Sequence, residues 1–147
     1  KDIKRYSIDF KNKYILATGY DKDIPSEYPA VYEHLKSLGD HFEAVGSKGK
    51  GLYKRDDQGK NWWNLRRCAY YSDFDKEKIV YSEIVRDPQF FVDTMSYWTE
   101  ASGFFLVGEN LKYLAGLLNS RPVTYFFRLW YAGGGLGGKG IRYKKKF

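Results

Sequence analysis

The segment Gly133-Gly134-Gly135-Leu136-Gly137-Gly138-Lys139-Gly140 has the glycine and lysine spacing of a phosphate-binding loop. In such a loop, backbone amides cradle phosphates and a lysine neutralises them. The residue after the lysine is Gly140, so the hydroxyl that would hold magnesium is missing. The segment also follows a predicted helix where a strand is required, and nucleotide hydrolysis is not expected. What survives is a run of amides that lets Lys139 and Arg142 approach a phosphate backbone.

Other candidates are weaker. His34 and His41 stand seven apart with no clustered Cys or carboxylate, which argues against a metal site. Asp73 and Asp75 upstream of Glu77-Lys78 loosely resemble a nuclease's Asp and Glu-x-Lys pattern. However, Glu77 abuts Lys78, and strand alternation would aim the two side chains to opposite faces. A solvated, charged strand start is expected there instead. Trp62-Trp63 reads as one tryptophan in the core and one at its edge. Their neighbours Lys54, Arg55, Lys60, Asn61, Arg66 and Arg67 interleave cations and an amide with aromatics, as nucleic-acid surfaces do. Arg and Lys bond the guanine edge and Asn suits adenine, while Asp56 and Asp57 dilute the patch.

These residues must be positioned by regular elements. Tyr14 to Thr18 reads as a short strand ended by Gly19. Pro25 and Pro29 open a helix with Val31, Leu35 and Leu38 on one face, and Gly39 closes it. Residues 44–61 lack apolar periodicity and read as a long loop or loose hairpin. Strands are expected at Lys78 to Val85, Phe90 to Val92, Met95 to Trp98 and Phe104 to Val107. Asn110 to Asn119 is a helix with a capped start and Leu111, Leu114, Leu117 and Leu118 on one face. A second helix runs from Arg121-Pro122 to about Tyr131. Strands and segregated helices together predict an α/β (α+β) domain with a mixed sheet and a few packed helices.

At 147 residues the chain fits a single domain, 1–147, with enough length to bury a core. The 43% hydrophobic and 19% aromatic content excludes a disordered chain. One cysteine, Cys68, excludes an internal disulfide framework and a zinc cluster, which fits a reducing cytoplasm. No apolar run approaches the roughly 20 residues of a membrane span, so no membrane partner is expected. Opening without Met and ending in a basic run, the chain reads as a piece of a larger protein. From Asn110 to Phe147 there are eight Lys or Arg and no Asp or Glu, whereas the first 109 residues hold 17 basic and 18 acidic side chains. A neutral body with a basic end suits a polyanion. A solubilising tail is the alternative on charge alone.

Several segments in order carry a family resemblance: Asp2-Ile3-Lys4-Arg5-Tyr6, Asn64-Leu65-Arg66 with Cys68-Ala69-Tyr70, Phe74 with Lys78-Ile79, Leu117-Leu118-Asn119-Ser120, and Gly137-Gly138 before the aromatic and basic tail. Together they resemble the TaqI-like C-terminal specificity domain, the target recognition domain of type IIG restriction-modification enzymes and related adenine methyltransferases. The resemblance implies a domain that docks on double-stranded DNA beside a methyltransferase domain of the same bacterial or archaeal parent chain. That partner would bind S-adenosylmethionine and flip the target adenine out of the stack, and Mg2+ would serve the parent's nuclease. The Asn-Pro-Pro-Tyr motif of the methyltransferase is absent here, so this chain is expected to bind without catalysing and to hold no cofactor. Lys139, Arg142, Lys144 and Lys145 are assigned to phosphates. Lys54, Arg55, Lys60, Asn61 and Arg66 are assigned to a mixture of base edges and phosphates. A protein-interaction or scaffold domain with a solubilising basic tail is the alternative.

Overall fold

The computed structural model describes residues 3–46, 51–85, 87–99, 102–130 and 141–142. The chain divides into two compact units, Tyr14–Ala69 and Lys1–Lys13 with Tyr70–Phe147.

In the unit Tyr14–Ala69, a short helix α1 (Ile24–Glu27) leads into a longer one, α2 (Pro29–Ala44). The Asp23 carboxylate accepts from the Ser26 amide at 3.4 Å and starts α1. Pro29 stands in the first turn of α2, where its missing N–H has no use. The expected stop at Gly39 does not occur. Gly39 is buried in mid-helix, and a Cβ there would stand 2.5 Å from the Tyr53 ring, so the glycine serves close packing rather than termination. The single proton of the Tyr53 hydroxyl is shared between the Asp40 carboxylate at 2.7 Å and the Lys36 carbonyl at 2.9 Å, tying the following loop to the helix.

The strand expected at Tyr14 to Thr18 is irregular chain. Tyr14, Ile15 and Leu16 are largely exposed, so no apolar face rewards pairing. Residues 51–65 form successive turns with one antiparallel bridge, Gln58 to Leu65, in keeping with the loose hairpin read from sequence.

The other unit holds a three-stranded antiparallel sheet in the order β3-β1-β4, formed by β1 (Lys78–Ser82), β3 (Phe91–Asp93) and β4 (Gly103–Leu106). A small second sheet pairs β2 (Ile84–Val85) with β5 (Ile141–Arg142). The run from Lys78 to Val85 is therefore two strands, broken at Glu83, whose amide donates to the Ser102 carbonyl at 3.1 Å. Helices α3 (Leu111–Leu118) and α4 (Arg121–Trp130) follow the sheet. Ile79, Val85, Phe90, Leu111 and Ala115 form the core, and Tyr81, Val92, Leu114, Leu118 and Phe127 pack around it. Fully burying a side chain such as Ile79 contributes about 1.5–3 kcal/mol.

Leu111, Leu114, Ala115 and Leu118 form the inward stripe of α3, while Leu117 is 42% exposed, one position off the face read from sequence. Asn110 precedes α3 in the left-handed region without a side-chain cap. At the start of α4, the Ser120 hydroxyl accepts from Val123 N at 3.4 Å and the Ser120 carbonyl accepts from the Thr124 hydroxyl at 2.7 Å.

Three polar side chains organise this core. Lys78 and Asp93 are opposite each other across β1 and β3, and both are fully buried, with Nζ 2.6 Å from the carboxylate. Lys78 also donates to the Phe74 carbonyl at 2.6 Å. Asp93 accepts from the amides of Met95 at 2.8 Å and Tyr97 at 2.9 Å. The solvated charge expected at Lys78 is thus a buried cross-strand ion pair. The strand expected at Met95 to Trp98 is replaced by chain curling around the Asp93 carboxylate, with Ser96 at φ 56°. Farther along, the Asn119 amide accepts from Phe90 N at 3.1 Å and donates to Phe90 O at 2.8 Å.

The fold class is the α/β (α+β) one expected, and the described strand pairings are all antiparallel. Among the described residues no helix is long and apolar enough to cross a membrane.

Candidate nucleic-acid interface

In the unit Tyr14–Ala69 the cationic loop is organised by Asn64, which has no exposed surface. Its side-chain oxygen accepts from the Asn61 amide at 3.1 Å and from Asn61 Nδ2 at 3.2 Å. Its side-chain nitrogen donates to the carbonyls of Thr18 at 3.2 Å and Lys22 at 3.0 Å. One buried amide therefore closes the turn 61–64 and brackets the turn 18–22. Backbone bonds complete the junction, from Lys60 N to Tyr20 O at 2.8 Å and from Leu65 N to Gly19 O at 2.7 Å.

Gly59 sits where these strands of chain cross. A Cβ there would lie 2.4 Å from the carbonyl oxygens of both Leu65 and Tyr20, so no larger residue fits without moving backbone. Gly19 turns with φ +63°, and the Lys22 side chain lies against it. Neither Asn64 nor Gly59 carries a sequence signal of this role. Asn64 lies within the family-like run Asn64-Leu65-Arg66, but only the fold reveals its four side-chain bonds.

The aromatic pair is arranged differently from the expectation of one core and one edge ring. Trp62 and Trp63 are both half-buried and meet edge to face, with centroids 5.4 Å apart. Tyr32 touches both, and Tyr53 meets Trp62 edge to face at 4.6 Å. Trp63 Nε1 donates to the Lys22 carbonyl at 3.3 Å. The tryptophans back the loop and hold its geometry.

The cations divide by what engages them. Arg55 points inward and donates to the carbonyls of Trp62 and Asn64, so its guanidinium holds the loop. Lys54 is exposed and paired with Glu43 of α2 at 3.0 Å. Asn61 is half-buried and donates its side-chain amide to Asn64. Lys60 and Arg66 are exposed on the same loop. Arg67, also exposed, lies over the Tyr20 ring at 5.2 Å from its centroid. Exposed Asp21, Asp56 and Asp57 share this unit, which holds nine Lys or Arg against eight Asp or Glu.

Arg142 belongs to β5 in the other unit, where its backbone pairs with Ile84. Lys139, Lys144 and Lys145, and the glycine run 133–140, lie outside the described residues. His34 and His41 are both exposed on α2, so His41 belongs to the helix rather than to a loop. Among the described residues no three His, Cys, Asp or Glu side chains converge as a metal ion needs. An open apolar groove beside α2, lined by Leu35, Leu38, Phe42 and Leu52, carries no acid–base pair.

The family model of the TaqI-like C-terminal specificity domain matches residues 1–135. No curated protein matches the chain.

Proposed function

Because the chain belongs to the TaqI-like C-terminal specificity domain family, we propose that it reads a double-stranded DNA sequence for a restriction-modification enzyme. In this reading it neither cuts nor methylates. Catalysis belongs to a methyltransferase domain of the same parent chain, a site-specific adenine methyltransferase or type IIG endonuclease working in the cytoplasm. S-adenosylmethionine and Mg2+ serve those catalytic parts.

The observation that carries the proposal is the stiff loop of exposed cations, Lys60 and Arg66, built on a buried asparagine in a nearly neutral unit. A surface that only gathered phosphates would need charge and little order. A surface that reads base edges needs donors held in register, because bidentate contacts fail when misplaced. Lys60 and Arg66 place their charges at the surface of that loop. Lys54 can exchange Glu43 for a phosphate, while Arg55 and Asn61 keep the loop in shape. Lys139, Arg142, Lys144 and Lys145 are assigned the phosphate contacts that set affinity and its salt dependence.

The alternative, a protein-interaction or scaffold role, has one observation in its favour. Tyr113 and Leu117 on α3, and Tyr125 and Leu129 on α4, form exposed i, i+4 pairs. The test is a salt titration of the intact protein on duplex DNA. Binding should weaken with a log–log slope of about −0.9 per phosphate neutralised. Replacing Lys139, Arg142, Lys144 and Lys145 by Ala should flatten that slope by about one for each phosphate that these side chains neutralise. No duplex binding at low salt would favour the interaction reading.

A further inference from the structure

We propose that Arg67, held over the Tyr20 ring, is a base-edge reader of the DNA target, and that Tyr20 is the residue that positions it. The inference rests on the DNA-reading proposal and adds to it a residue and a second chain segment, Gly19–Lys22.

Three observations support it. First, Arg67 keeps its donors available. Arg55 is turned onto carbonyls and Arg128 is paired with Asp87 at 3.2 Å, whereas among the described residues no hydrogen bond or ion pair engages the Arg67 guanidinium. Five N–H donors and no acceptor, in an exposed position, await a ligand rich in acceptors.

Second, its head group is held against a ring. At 5.2 Å from the ring centroid the guanidinium lies within the range of a cation–π contact. An arginine restrained in this way loses less freedom when its fork meets a flat pair of acceptors, which a lysine cannot match. The guanine edge, with O6 and N7 side by side, is such a pair.

Third, the backbone that carries this ring is itself fixed. Tyr20 is 37% exposed, but its carbonyl accepts from Lys60 N, and the residues on either side of it are bonded through Thr18 O and Lys22 O to buried Asn64. Asn64 thereby links the turn of Tyr20 to the chain leading into Arg67. Two segments more than 40 residues apart in sequence present one aromatic and one cationic group as a unit.

Phosphate binding and base reading predict different results for a charge-preserving change. In the intact protein, discrimination is measured as the ratio of affinities for the target duplex and a scrambled duplex, together with the salt slope. Arg67→Lys keeps the charge and loses the fork, and it should lower discrimination roughly tenfold to a hundredfold while leaving the salt slope in place. Arg67→Ala should lower it as much and, because a base-edge contact neutralises no phosphate, should also leave the slope in place. Tyr20→Phe, which keeps the ring, should retain discrimination, and Tyr20→Leu should lose part of it. If Arg67→Lys keeps the full ratio, or Tyr20→Leu matches Tyr20→Phe, this inference is overturned while the DNA-reading proposal stands. If the unsubstituted protein binds both duplexes equally or not at all, both are overturned.

Discussion

The two units bury different kinds of group. Among the described residues of the sheet-bearing unit the buried side chains are mostly apolar, Ile79, Val80, Val85, Phe90 and Leu111 among them, with the Lys78–Asp93 ion pair and Asn119 enclosed beside them. Among the described residues of the unit Tyr14–Ala69 the buried side chains are Ile24, Thr18 and Asn64, with Gly39 leaving room for a tyrosine ring. One is held together by area removed from water, the other by directed bonds from amides and rings to backbone carbonyls. Directed bonds contribute less per residue but fix orientation, which suits a surface that must present donors at set angles. The contrast also predicts a lower local opening energy for the turns of the unit Tyr14–Ala69, because few apolar contacts protect their backbone bonds.

The largest expected effect probes the enclosed charges. Lys78→Met strands the Asp93 carboxylate without its cation and should cost about 3–5 kcal/mol, read by chemical denaturation. A loss below that of the next variant would mean that the sheet-bearing unit does not depend on its ion pair. That variant, Asn64→Ala, removes four bonds and should cost about 2–3 kcal/mol. Its signature is local: hydrogen exchange at the Lys60 and Leu65 amides should accelerate while the β1 amides keep their protection. Equal acceleration in both units would erase the distinction drawn between them.

The smallest effect is a pH dependence. The hydrogen bond to the Asp40 carboxylate, and then partial burial, push the Tyr53 hydroxyl up from 10.0 to about 12. The folded state thus favours the neutral phenol. The stabilising contribution is complete below pH 10 and is lost as pH rises through about 12. Tyr53→Phe should abolish this part of the alkaline destabilisation, as measured by thermal melts at successive pH values. An unchanged alkaline profile would show that the tether between the loop and α2 is not closed by this hydroxyl.

Periodic segments were legible in the sequence. The leucines of α3, the Pro-started α4 and the β-branched run of β1 carry their own pattern, because a helix or strand that buries one face must repeat its apolar residues. The pattern failed where a residue's role depends on a distant partner. Gly39 has the look of a helix stop until Tyr53 is seen against it. Lys78 belongs with solvent until Asp93 is placed across the sheet. Tyr14 to Thr18 has strand composition but pairs with no strand among the described residues. The candidate interface divides in the same way. Its cations are visible as types and spacing, but sequence cannot separate Arg55, which holds the loop, from Lys60 and Arg66, which face outward. Asn64 was hidden because one polar letter does not show that its four bonds converge.

The amide of Asn119 has a consequence beyond the core. β3 lies at one margin of the three-stranded sheet, and Phe90 immediately precedes it. By accepting from Phe90 N and donating to Phe90 O, the side chain satisfies both backbone groups as a neighbouring strand would. An open sheet margin is a template on which a second chain can add a strand and begin to aggregate. Here a side-chain amide holds both backbone groups of the residue just ahead of that margin strand, so Asn119 ties the entry of β3 to the end of α3.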